Sequence, residues 1–124
     1  MLKHEDLTRE IIGAAIEVHR HLGPGLLESA YEKCLLRELA PRGLKYETQV
    51  PLRVSYKGED LDCGYRLDVI VENLVVLELK SVSDVTDVHK AQLLTYLKLS
   101  AKPVGLLLNF NTEVMRHGIL RMVM

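Results

Sequence analysis

The spacing of apolar residues changes period twice along this chain, and each change marks a new kind of element. Leu7, Ile11, Ile12, Ala15, Ile16 and Val18 recur near helical spacing, which predicts an amphipathic helix from Leu7 to His21. Gly23-Pro24-Gly25 stops it. A second helix is predicted from Leu27 to Leu39 on Leu27, Tyr31, Cys34, Leu35 and Leu39, with Pro41 and Gly43 closing it. From Tyr46 to Tyr56 the period falls to two, as Val50, Leu52 and Val54 alternate with other residues, and this predicts a half-exposed strand. Lys57-Gly58-Glu59-Asp60 reads as a turn. Leu61 to Val71 and Leu74 to Lys80 form two further strands around a turn at Glu72-Asn73. Both are apolar at nearly every position near that turn, as central strands covered on both faces are. A third helix fits Thr86 to Leu99, capped by Asp84 or Thr86. Val104 to Leu108 reads as a buried strand and Gly118 to Val123 as a shorter last one. The order ααβββαββ predicts an α/β fold, a mixed twisted sheet flanked by helices.

The exceptions to this pattern carry the chemistry. Asp68 interrupts Leu67-Asp68-Val69-Ile70-Val71, and Glu78 and Lys80 interrupt Val75-Val76-Leu77-Glu78-Leu79-Lys80. Buried charges are costly unless paired or metal-bound. Residues two apart on a strand share a face, so Glu78 and Lys80 point the same way. A two-residue loop at Glu72-Asn73 sets Asp68 opposite Leu77, whereas a three-residue loop through Leu74, or one bulge, sets it opposite Glu78. The second arrangement is the one expected. It brings two carboxylates to about 4.5–5.5 Å at Cβ, within reach of one divalent cation. Two ionised carboxylates that close repel each other, and a hard cation relieves them; oxygen donors suit Mg²⁺ or Mn²⁺. The Leu79 carbonyl is a further candidate ligand. Lys80 then stands where it can orient a water or stabilise charge on a phosphate. The alternative is a buried Asp68–Lys80–Glu78 ion-pair cluster with no chemistry.

Composition limits the partners. The 124 residues contain no repeat, low-complexity segment or Ser/Pro-rich linker, so one domain spanning 1–124 is expected. Hydrophobic residues make up 48% and charged residues 27%, a globular composition rather than a disordered one. The net charge of −1 lacks the basic excess of a protein that grips nucleic acid by charge alone. Local positive charge or a partner would have to supply that grip. Cys34 and Cys63 lack metal-ligand spacing and suit a reduced, cytoplasmic protein. Met1 to Asp6 carries charge with no apolar run of signal length behind it, and no window reaches the length of a membrane span.

Two motifs resemble a known family. Asp68, nine residues, then Glu78-Leu79-Lys80 is similar to the D…ExK signature of the PD-(D/E)xK (restriction-endonuclease-like) phosphodiesterase superfamily. Gly25-Leu26-Leu27-Glu28-Ser29-Ala30-Tyr31 fits G-x-x-E-x-x-Y, the motif that names the GxxExxY family within it. His19, Gly23-Pro24 and Tyr65-Arg66-Leu67-Asp68 also look like that family, and the resemblance runs from about Ile11 to the C-terminus. One departure is Leu67, where the superfamily usually has Pro. The resemblance implies a restriction-endonuclease-like core of a helix, three strands, a helix and a strand. It implies that Glu28 joins Asp68 and Glu78 at Mg²⁺ or Mn²⁺, with Lys80 as the catalytic lysine. The implied activity is metal-dependent hydrolysis of phosphodiester bonds, with DNA ahead of RNA as substrate. The alternative function is a catalytically silent module that binds nucleic acid or a protein partner. A homodimer or larger complex would enlarge the binding surface.

Gln92-Leu-Leu-Thr-Tyr96 resembles the Q-x-x-x-Y element of RecB-like nucleases in the same superfamily. Gln92 and Tyr96 share a helix face at i,i+4, and His89 lies near that face. They are candidates to bond the Lys80 region, the attacking water or a phosphate. Each motif residue also has a structural alternative. Glu28 could simply favour the helix dipole, and Tyr31 could brace its helix. Gln92 and Tyr96 could be surface and core residues, and His89 solvated. His19 is a candidate for a structural contact near Glu28, and Arg66 for the sheet surface or a phosphate.

Overall fold

The computed structural model describes residues 4–124; the first three residues of the charged N-terminal stretch lie outside it. Helices α1 (Glu5–Leu22) and α2 (Glu28–Leu39) come first. Strands β1 (Tyr46–Tyr56), β2 (Glu59–Val71) and β3 (Val75–Lys80) follow, then α3 (Asp87–Ser100), β4 (Val104–Asn109) and β5 (Ile119–Val123). This is the order the periodicity predicts, with boundaries moved by one or two residues. Thr86, one of the two expected caps, closes a capping box at the start of α3.

The five strands lie in sequence order β1-β2-β3-β4-β5. Only β3 and β4 run parallel; the other neighbours are antiparallel. A parallel pair needs a crossover, and α3 supplies it. One face of the sheet packs on α1 and α2 through Ile11, Ala14, Tyr31, Leu35, Val69, Leu77, Leu79 and Leu106. The other packs on α3 through Leu52, Leu67, Ile70, Val76, Leu93, Leu97 and Leu107. Every residue of β4 is buried, as its unbroken apolar run requires of a strand covered on both sides. Among the described residues no helix is long and apolar enough to cross a membrane.

The hairpin register decides where Asp68 lies. Glu72 and Asn73 both take left-handed backbone, at φ 53° and 57°, and the Leu74 N–H closes the turn on the Val71 carbonyl at 3.0 Å. Leu74 is the extra loop residue. The pairs are therefore Val71 with Val75, Ile70 with Val76 and Val69 with Leu77. Continued by one step, that register sets Asp68 across from Glu78. The loop is the three-residue one.

Candidate active site

Sheet pairing stops where the charged residues begin. Val69–Leu77 is the last β2–β3 pair, and Asp68 and Glu78 stand one step beyond it. The side-chain alternation of β2 also breaks there. Leu67 packs on the α3 face and Val69, two residues on, packs on the α1/α2 face. On the neighbouring strand Gln49, which the register sets opposite Asp68, takes a left-handed φ of 50°. The strand edge is thus opened beside Asp68, and groups from both helix layers can reach the gap.

Asp68 fills that edge with its side chain. Its Oδ2 accepts from the Leu79 N–H at 2.9 Å, in place of a backbone carbonyl. In an extended strand a residue's N–H and C=O leave by the same edge, so the Leu79 carbonyl also faces β2. The next residue points the other way, since the Lys80 carbonyl accepts from the Phe110 N–H of the β4 side at 2.9 Å. Glu78 is only 5% exposed. Burial first, then a hydrogen bond and charge repulsion from Asp68, push its carboxyl up to about 9, with Lys80 opposing and Glu28 adding to the rise. Burial and the neighbouring Asp68 carboxyl thus both favour the protonated form of Glu78.

The second helix brings Glu28 to the same end of β3. Its Oε2 accepts from the Ser81 N–H at 3.3 Å, while the Ser81 hydroxyl donates to the Leu26 carbonyl at 2.7 Å. Tyr31 holds the loop that delivers Glu28. Its hydroxyl donates to the Gly23 carbonyl at 2.5 Å and accepts from the Leu26 N–H at 3.1 Å, and its ring stacks on Phe110 at 4.4 Å. Gly25 sits in this loop at φ 102°, a conformation that glycine adopts without strain. The glycine and tyrosine of the G-x-x-E-x-x-Y segment therefore shape and brace the loop, and the glutamate reaches β3.

From the opposite face, α3 presents Tyr96. The Gln92 amide donates to its hydroxyl at 2.9 Å, so the i,i+4 pair is joined as their spacing predicts. Burial raises the Tyr96 hydroxyl pKa most, followed by Glu78, Tyr65 and Asp68 charge, against the Gln92 hydrogen bond. The Glu78 and Asp68 charges thus reach Tyr96 across the sheet end.

Two expectations need correction. His89 does not turn to Lys80 or a substrate: its Nδ1 accepts from the Thr86 N–H at 3.1 Å, completing the helix cap. His19 contacts Thr112 rather than the Glu28 region, donating from Nε2 to that carbonyl at 2.7 Å. Arg66 does lie at the exposed sheet surface, the first of its two readings, with its guanidinium donating to the carbonyl of Tyr65.

Two residues near the site, Glu32 and Asn109, carry no motif. Glu32, one turn after Glu28, accepts from the Gln49 amide at 3.1 Å. Its carboxyl is raised by burial first and by Asp68 second. The i,i+4 spacing of Glu28 and Glu32 was the available signal. Asn109, buried at the end of β4, accepts from the Val82 and Asn111 N–H groups and donates to the Val82 carbonyl. It pins the segment that follows Lys80 and Ser81. The charges of Asp68, Lys80 and Glu28 thus all act on Glu78, and that of Asp68 acts on Glu32. Even so, no three of the His, Cys, Asp and Glu side chains among the described residues form a ready-made metal cage.

A family model described as PD-(D/E)XK nuclease superfamily matches residues 5–122. Neither the curated proteins nor the solved structures offer a match to the chain.

Proposed function

This chain belongs to the PD-(D/E)XK nuclease superfamily, and from that premise we propose that it hydrolyses phosphodiester bonds, with DNA as substrate, at the gap between β2 and β3. The observation that carries the proposal is the hairpin register, which sets Asp68 across from Glu78 at the point where the two strands part. A sheet gains nothing in stability from two carboxylates there. A hydrolytic site needs them.

The donors fit a hard divalent cation. All are oxygens: the Asp68 and Glu78 carboxylates and the Leu79 carbonyl, with Glu28 as the fourth candidate. Mg²⁺ commonly takes one or two protein carboxylates and leaves its other positions to water and phosphate, so an open set suits it or Mn²⁺ better than a closed cage. When bound, such an ion lowers the pKa of water and offsets phosphate charge. The upward push on the Glu78 carboxyl marks the same deficit of positive charge. Lys80 holds its ammonium beside the pair and stabilises negative charge that develops on the phosphate. Tyr96, positioned by Gln92, places a hydroxyl at the rim to hold the attacking water or a phosphate oxygen. Ser81 and Asn109 position: they fix Glu28 and the strand end that carries Lys80.

Both cysteines are free, in keeping with a reducing compartment such as the cytoplasm. A net charge of −1 favours a second reading, a silent module that relies on a partner or a second copy for affinity. Calorimetry separates the two. The hydrolytic reading expects Mn²⁺ to bind the chain and not its Asp68→Asn variant; no Mn²⁺ binding to the unmodified chain overturns it.

A further inference from the structure

The face of the sheet that packs on α3 ends in an aromatic pair, Tyr65 and Tyr96, and the proposed hydrolysis leaves Tyr65 unused. The β1–β2 ladder shifts between Leu52 and Arg53: Leu52 pairs with Tyr65, but Arg53 pairs with Asp62. Cys63 and Gly64 are left over as a bulge, and a bulge bends its strand and re-aims the side chain that follows. That side chain is Tyr65. Its ring meets the Tyr96 ring at 6.0 Å between centroids, with the planes 59° apart. Tyr96 is buried and held by Gln92. Tyr65 is 45% exposed. It is therefore braced on one side and open on the other, three residues before Asp68 on the same strand.

A braced, open aromatic ring beside such a site matches one part of a nucleic acid, the flat face of a base. Within a duplex both faces of each base are already stacked; an unpaired base has a face to offer. Charge points the same way. The chain has no basic excess, so backbone phosphates alone give little hold. Stacking supplies affinity without net charge. We infer that Tyr65, backed by Tyr96, is a stacking platform for an unpaired base next to the scissile phosphate. The substrate class is then single-stranded or frayed-end nucleic acid rather than continuous duplex. This inference rests on the nuclease reading and specifies its substrate.

The chain has no tryptophan, so Tyr65→Trp introduces a single fluorescent probe at the platform. It is titrated, in EDTA to prevent cleavage, with a pyrimidine oligonucleotide of about twelve nucleotides, a length on the order of the sites such surfaces cover. A duplex closed at both ends by hairpin loops whose bases are tied in tight turns serves as the comparison. The expected result is quenching by the single strand and none by the closed duplex. In parallel, anisotropy of the labelled oligonucleotide should give a Kd about tenfold weaker for Tyr65→Ala, with Tyr65→Phe within about twofold of the unmodified chain. Unchanged binding by Tyr65→Ala, or equal quenching by the closed duplex, overturns the platform and leaves the nuclease reading standing. If the unmodified chain binds neither nucleic acid, with or without Mn²⁺, both fall together.

Discussion

Replacing Glu78 with glutamine should make this protein more stable, although the residue lies at the centre of the proposed chemistry. In the unfolded chain the carboxyl ionises above its ordinary value of 4.5, whereas in the folded protein burial and Asp68 push it up to about 9. The folded state therefore binds the extra proton between those values. Stability is greatest below 4.5 and is lost as pH rises through 9, because the unfolded state has already released the proton. At pH 7 the cost is set by the two and a half pH units above 4.5; at about 1.4 kcal/mol each, this comes to about 3–4 kcal/mol. Glutamine is close in shape, donates to Asp68 and never ionises, so Glu78→Gln removes that cost. For a chain of this size the gain corresponds to a melting temperature higher by roughly 10 °C. The assay is thermal denaturation in EDTA at pH 5, 7 and 9, unmodified chain beside variant. The gap should be small at pH 5 and widen with pH, and saturating Mn²⁺ should narrow it by stabilising the unmodified chain alone. Parallel pH curves, or a variant less stable than the unmodified chain at pH 9, would refute the reasoning.

The remaining predictions concern the scaffold around the site. Tyr31→Phe leaves the Gly23 carbonyl and Leu26 N–H without their partner, and should cost about 1–3 kcal/mol by urea denaturation. It should also weaken Mn²⁺ binding if Glu28 contributes, since the same loop carries that residue. Asn109→Ala removes three hydrogen bonds from a buried site and should cost about 2–4 kcal/mol in the same assay. Gly118→Ala should fail to fold to the same melting transition, because a Cβ there would lie 2.0 Å from the Asn109 carbonyl oxygen.

Much of this arrangement follows from sequence, and the places where it does not are specific. The apolar runs around Glu72-Asn73 identify two central strands, and their fixed alternation makes the loop length a choice between two registers. Asking which register lets Asp68 meet Glu78 gives the one observed. Asn73 and Glu72 in left-handed backbone, with Leu74 added, are the local reason for it. Gln92 and Tyr96 are joined because helix geometry fixes i,i+4 neighbours. By contrast, the break in β2 at Asp68 depends on Gln49, a strand residue whose positive φ no local pattern announces. Cys63-Gly64 carries a glycine, but only the partner strand shows that two residues are unpaired. His89 reads as a free helix histidine until Thr86 is seen to close the cap upon it. Asn109 follows an apolar strand and reads as the strand's end, since the Val82 groups it binds are distant in sequence. Periodicity reports which face a residue occupies; these side chains act on backbone far along the chain.

The central claim, that the Asp68–Glu78 gap is a metal-dependent hydrolytic site, is tested most directly by cleavage of single-stranded DNA in Mn²⁺. The unmodified chain should be measured beside Glu78→Gln, which the stability argument expects to fold better than the parent. Cleavage by the parent, abolished by EDTA and reduced at least about a hundredfold in Glu78→Gln, is the predicted result. Equal cleavage by a well-folded Glu78→Gln, or none by the parent in either Mn²⁺ or Mg²⁺, would contradict it.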